Sequence, residues 1–113
     1  MAAAVYHPLL SVYFFADDFV CLFDIVNKGF LRFFVQPFGG HLLFVRNAVF
    51  YVSYLAFGFR AGPYYAVALA THLLNVWLFF RVARRFTGSA VVASFGAALW
   101  GTSPLCLGTL AWY

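Results

Sequence analysis

An all-α, polytopic membrane fold is predicted for this chain on three grounds. Charge is scarce: 9% of its 113 residues are charged and 65% are hydrophobic, whereas a soluble domain carries about a quarter charged residues. Two apolar runs in the second half approach the roughly 17 to 25 residues that cross a bilayer as a helix. Arginines close one of those runs, where the positive-inside bias places cytoplasmic anchors. So little charge cannot cover a soluble surface, and an aromatic content of 23% would leave large apolar patches in water.

Residues 1–16 hold no charged side chain. They are near the lower length limit for a span, with Pro8 in the middle, and predict at most a partial first transmembrane helix. Residues 17–46 mix Asp17, Asp18, Asp24, Lys28, Arg32 and Arg46 with aromatic and aliphatic residues. Between Asp18 and Phe34, the positions Phe19, Leu22, Phe23, Val26, Phe30, Phe33 and Phe34 recur mostly at steps of three and four. This predicts one amphipathic helix with a polar edge, lying along the membrane surface. Pro37, Gly39 and Gly40 end it. Residues 42–58 read as a second membrane-associated helix, too short to be assigned as spanning. Residues 64–82 form the clearest span, with Tyr64 and Tyr65 at one interface and Arg81, Arg84 and Arg85 at the other. Residues 89–110 form a second span, interrupted near Thr102-Ser103-Pro104. Gly96, Gly101, Ala97, Ala98 and Ser94 give it small-residue faces for close helix packing. The chain stops at Trp112-Tyr113 inside an apolar stretch, which predicts a fragment of a longer polypeptide.

Orientation follows from the arginines. With Arg81, Arg84 and Arg85 cytoplasmic, residues 60–63 lie outside. Asp17 and Asp18 are then outside if residues 42–58 do not span, and cytoplasmic if they do. The net charge of +4 is carried by singly scattered residues apart from that arginine group. A membrane anchor explains this better than a nucleic-acid patch. Cys21 and Cys106 sit among apolar residues without metal-type spacing and read as small hydrophobes.

Few residues have chemistry to offer. Asp17 and Asp18 are two of only three acidic residues. Adjacent carboxylates at a bilayer edge can act as a general base or bind a divalent cation such as Mg or Mn. They can equally serve as the acidic first turn of the following helix. His41, behind the glycine pair, can bind phosphate or metal, or simply sit in an interfacial turn. Arg46 and Arg60 can hold a lipid phosphate or snorkel to the headgroups. His72 and Asn75, in mid-span, read as residues that fix helix contacts.

The order of these features resembles the N-terminal part of the polytopic GT-C glycosyltransferases, the dolichyl- or polyprenyl-phosphate-sugar mannosyltransferase-like membrane enzymes. The resemblance rests on Ala16-Asp17-Asp18-Phe19, Gly39-Gly40-His41-Leu42-Leu43 and Leu55-Ala56-Phe57-Gly58-Phe59. It continues through Pro63-Tyr64-Tyr65, Ala70-Thr71-His72-Leu73-Leu74-Asn75, Phe80-Arg81-Val82-Ala83-Arg84-Arg85-Phe86 and Thr102-Ser103-Pro104.

It implies a single membrane domain over 1–113: a first span at 1–16, an extracytoplasmic loop with juxtamembrane helices over 17–63, and two spans over 64–113. It implies Asp17 and Asp18 as catalytic residues, with Asp18 also at a metal site, and His41 and Arg46 as substrate contacts. The implied donor is a sugar on a polyprenyl phosphate, transferred with inversion in a multi-pass cell membrane, a bacterial inner membrane being the implied setting. The implied partners are the bilayer, that donor and the remaining helices of a longer protein, without which the chain is expected to be incomplete as an enzyme. The alternative is a non-catalytic polytopic membrane protein or a transporter fragment.

Overall fold

The computed structural model describes residues 1–111, the side chains of 38, 107–109 and 111 excepted. In chain order the elements are α1 (Ala2–Tyr6), a 3-10 turn (His7–Ser11), α2 (Asp17–Lys28) and α3 (Phe30–Phe34). A short hairpin of β1 (Pro37–Phe38) and β2 (His41–Leu42) follows. After it come α4 (Phe44–Phe57), α5 (Ala61–Thr87), α6 (Ala90–Gly101) and α7 (Pro104–Ala111). The fold is mostly helical, as the composition predicts. In the hairpin Pro37 stands opposite Leu42 and Phe38 opposite His41. Gly39 and Gly40 turn the chain at φ of 55° and 81°, values that disfavour any residue with a Cβ.

The α5 helix is the axis of the molecule. It starts with Pro63 in its first turn and ends on Gly88, whose left-handed φ of 67° lets its N–H bond back to the Arg84 carbonyl at 3.0 Å. At 27 residues it is about 40 Å long, enough to cross a hydrocarbon core of about 30 Å. Among the described residues it is the one helix long and apolar enough to do so. Only 11% of its apolar window is buried within the chain, so its greasy faces look outward.

The second predicted span is corrected. Residues 89–110 do not form one long helix. Ser89 caps α6 by accepting the Val92 N–H at 3.4 Å, and the helix stops at Gly101 after 12 residues. The chain turns at Thr102-Ser103, and Pro104 opens α7, where its missing N–H costs nothing. The predicted end of this span at Trp112 and Tyr113 lies outside the described residues. Two side chains meet the carbonyls that the break frees. His72 Nε2 lies 2.9 Å from the Gly101 oxygen and the Tyr6 hydroxyl donates to the Ser103 oxygen at 2.8 Å. Because a carbonyl only accepts, His72 carries its proton on Nε2.

Antiparallel to α5, α6 presents Ala93, Ala97 and Gly101 as a buried small-residue face. The approach is closest at Gly101, where a Cβ would stand 2.7 Å and 3.1 Å from the two methyls of Val76. Val76 is β-branched and stiff at χ1, so it cannot swing away. Gly101→Ala is therefore expected to destabilise the chain by about 1–3 kcal/mol. Adding Val76→Ala should restore most of it, as followed by thermal unfolding in detergent. A single variant that melts like the wild type would contradict this packing.

The N-terminal prediction is corrected as well. Residues 1–16 form one short helix, a 3-10 turn and an extended segment, packed on α5 through Ala2, Tyr6 and Leu69. The predicted helix over 19–34 divides at Gly29, whose φ of 74° and ψ of 169° end α2. Its polar edge also faces the opposite way from a surface helix. Asp18, Asp24, Cys21, Leu22 and Ile25 are buried, while Phe19, Phe23 and Val26 are exposed. Thus α2 turns its acids toward the protein and its aromatics outward.

The α4 helix has 14 residues and spans only about 21 Å, short of the hydrocarbon thickness. It packs Phe50 against Phe33 and Tyr64 in an aromatic core shared with Phe14, Cys21, Leu22, Ile25 and Tyr65.

Candidate acidic and lipid-facing site

Asp18 sits in the first turn of α2, 2% exposed. Its carboxylate does not cap its own helix. Oδ2 instead accepts the N–H of Phe15, three residues back, at 3.1 Å, and the Tyr65 hydroxyl from the first turns of α5 at 3.3 Å. That hydroxyl also lies 3.2 Å from the Tyr13 carbonyl, which it shares as an acceptor. Both bonds to the carboxylate land on Oδ2, so Oδ1 has no hydrogen bond among the described residues. Burial pushes the Asp18 carboxyl above its usual range. The Phe15 N–H, the Tyr65 hydroxyl and the charge of Arg46 pull it down, and Asp17 pushes it up. A carboxylate that remains unusually basic, with one oxygen held and one unclaimed, is suited to accept a proton.

Ala16 leads into this turn at φ 44° and ψ −103°. It is the one non-glycine at positive φ among the described residues, and such a backbone costs about 1–3 kcal/mol. Asp17, next along the chain, is half-buried, and its side chain makes no hydrogen bond among the described residues.

Arg46 comes from the first turn of α4. Its Nη1 donates to Cys21 Sγ at 3.0 Å, and its guanidinium lies 5.4 Å from the Phe50 ring centre. Burial raises the Cys21 thiol, and the neighbouring Arg46 opposes that rise. One half-buried arginine is thus braced from α2 and α4 with its charge felt at Asp18. The same residue lines a cleft of about 860 Å3 between the start of α4, the middle of α5, and α7. The walls are largely apolar: Leu43, Val45, Val49, Val67, Leu105 and Leu110. Thr71, His72 and Asn75 supply the polar groups. Asn75 is exposed there, so of the predicted helix-contact pair only His72 makes its contact.

The sequence-predicted residues do not all gather. The charge of Arg46 acts on Asp18, and Asp17 adjoins it in the chain, but neither acid lines the cleft. His41 is exposed on β2 and is not part of the cleft lining. Among the described residues no group of three or more His, Cys, Asp and Glu comes together. The Asp18 carboxylate is met by the Phe15 N–H and the Tyr65 hydroxyl, and no step is routed through a metal.

Two structural residues escaped sequence reading. Asn47, buried in α4, donates from Nδ2 to the carbonyls of Phe33, Phe34 and Gln36 at 3.1 to 3.2 Å. It caps the C-terminal end of α3. Tyr65 looks like an interface anchor in the sequence and is instead completely enclosed beside Asp18. The only signal for Asn47 is its position as a lone amide in an apolar run.

Asp24 ties the far end of α2 down. It pairs with Lys28 at 2.8 Å and accepts from the Gln36 amide. Desolvation alone would raise it, but Lys28 and Gln36 hold it below the ordinary value of 3.8. The two acids therefore act on stability with opposite signs. Asp24, lowered by folding, contributes stability above its unfolded value that is lost as pH falls through the folded one. Asp18, raised by folding, holds its proton longer in the native state, so stability falls as pH rises from 3.8 through its folded value. In thermal melts over about pH 3 to 7, Asp24→Asn should flatten the acid-side loss. Asp18→Asn should remove the opposite slope. Identical pH profiles for the two variants would refute this assignment.

No protein-family model, curated protein or solved structure matches the chain.

Proposed function

We propose that the chain is part of a GT-C-like glycosyltransferase that moves a sugar from a polyprenyl-phosphate carrier to an acceptor hydroxyl at the outer face of a membrane. The observation that carries this reading is the position of Arg46. It stands in the wall of an apolar cleft and its charge reaches the buried Asp18. A cation for a phosphate and an apolar slot for a hydrocarbon chain are thereby joined, while the carboxylate that would take a hydroxyl proton is buried outside the cleft lining. The order of sequence features supports the same reading.

In this mechanism Asp18 Oδ1 takes the proton of the acceptor hydroxyl as its oxygen attacks the anomeric carbon. The bond from that carbon to the carrier phosphate breaks, with inversion, and the phosphate leaves with the electron pair. Arg46 offsets the charge that develops on the leaving phosphate. Asp17, half-buried beside Asp18, adds negative charge that keeps the base basic. In the membrane α5 crosses, α4 lies along the outer face, and α2 sets Phe19, Phe23 and Val26 into lipid.

One observation favours the non-catalytic alternative: the Phe15 and Tyr65 bonds to Asp18 also serve as a tie between α2 and α5. Topology separates the two readings. A cysteine at Phe15, with Cys21 and Cys106 replaced by alanine, should react with an impermeant maleimide in intact cells. Labelling only after lysis would place the acidic turn in the cytoplasm, where this mechanism fails. Transfer measured with the Asp18→Asn variant is the direct test of chemistry.

A further inference from the structure

The opposite end of α5 carries a second cluster that the proposed transfer does not use. Arg81, Arg84 and Arg85 stand at steps of three and four, on one side of the helix, and all three are exposed. Arg81 lies over Trp77, with its guanidinium 5.1 Å from the ring centre. Among the described residues none of the three guanidiniums has an ion-pair or hydrogen-bond partner. The three acidic residues of the chain all lie within 17–24, and none pairs with these arginines. Phe86, 85% exposed, projects at the tip beside them.

We infer that the tip of the α5–α6 hairpin is a binding site for the headgroup of an anionic phospholipid, held by Arg81, Arg84 and Arg85 with Trp77 and Phe86 in the interface. Three guanidiniums without counter-ions match a phosphate that carries net negative charge. The source is a lipid rather than a free anion because the cluster is continuous with an outward-facing hydrocarbon surface. Leu78 and Phe79 on α5 are exposed just before it, Val82 within it, and Val91 and Phe95 on α6 after it. A phosphate seated on the arginines would have its acyl chains laid along these residues. Trp77 stiffens Arg81 by the cation–π contact, lowering the entropy lost on binding. The C-terminal dipole of α5 opposes an anion, which explains why three arginines gather where one would serve as an anchor.

The test uses the full chain in neutral detergent, titrated with dihexanoyl phosphatidylglycerol, dihexanoyl phosphatidylcholine and inorganic phosphate. Phosphatidylglycerol is expected to bind, and the other two much more weakly. The double variant Arg84→Gln, Arg85→Gln should bind phosphatidylglycerol roughly thirtyfold more weakly, from about 1 kcal/mol for each charge near the headgroups. Arg84→Lys with Arg85→Lys should retain most of the affinity, showing that charge at the tip matters. Equal binding of the zwitterionic lipid, equal binding of inorganic phosphate, or an unchanged affinity in the glutamine variant would each overturn the inference. If the glutamine variant does not fold, the comparison of the three ligands on the wild type still decides.

Discussion

Replacing Asp18 with asparagine is expected to lower sugar transfer by about 10²–10⁴-fold, with insertion into the membrane unchanged. The measurement is transfer from a polyprenyl-phosphate-linked sugar in membranes that express the complete reading frame. The substitution is nearly isosteric, and its amide oxygen can still accept from the Phe15 N–H and the Tyr65 hydroxyl. What it removes is a base. It also removes a charge that burial disfavours, since folding pushes the Asp18 carboxyl upward. The variant should therefore be at least as stable as the wild type near neutral pH. Lost transfer with retained stability is the signature of a chemical role. Normal turnover would sink the glycosyltransferase reading, and lost stability with partial turnover would make Asp18 a structural tie. Asp17→Asn should cost less, because Asp17 acts only through its charge.

The largest expected effect on stability lies at Asn47. One buried amide nitrogen serves three carbonyls at the end of α3. Asn47→Leu keeps the branching of the side chain, in a somewhat larger volume, and leaves those carbonyls facing an apolar group. The expected loss is about 2–4 kcal/mol, since an unsatisfied buried acceptor costs about 1–3 kcal/mol and water can reach only part of this site. Asn47→Asp should be worse, because a carboxylate would face the same carbonyls. The local readout is amide exchange in α3 and the hairpin, which should accelerate roughly thirty- to several-hundred-fold. Exchange at the wild-type rate in both variants would show that the cap is dispensable.

How far the sequence could be read depends on what each feature rests on. The α5 helix, long and apolar enough to cross a membrane, was legible because length, apolarity and terminal arginines agree over one uninterrupted run. The small-residue face of α6 was legible in kind, though Ala93 was not among the residues anticipated and exposed Ser94 was. The break between α6 and α7 was marked by Thr102-Ser103-Pro104 but not its extent, because its carbonyls are met by Tyr6 and His72. The orientation of α2 was misread for a physical reason. Periodicity reports that a helix has two faces, and in water the polar face is outward. Here Asp18 and Asp24 instead turn inward, to partners that the sequence cannot place. Gly29 was a visible stop signal inside that pattern. At the candidate site, the acidic pair and Arg46 stand out by rarity. Tyr65 and Asn47 do not, because their roles depend on contacts with residues 47 and 11 to 14 positions away.

The interrupted segment α6–α7 has a bearing on biogenesis. In the order of synthesis, residues 90–111 follow their partners as one nearly unbroken apolar stretch. The groups that stabilise its kink lie 29 and 97 positions upstream, at His72 and Tyr6. Formation of the two helices and adoption of the bent shape are then separable events, the second waiting on docking of segments synthesised earlier.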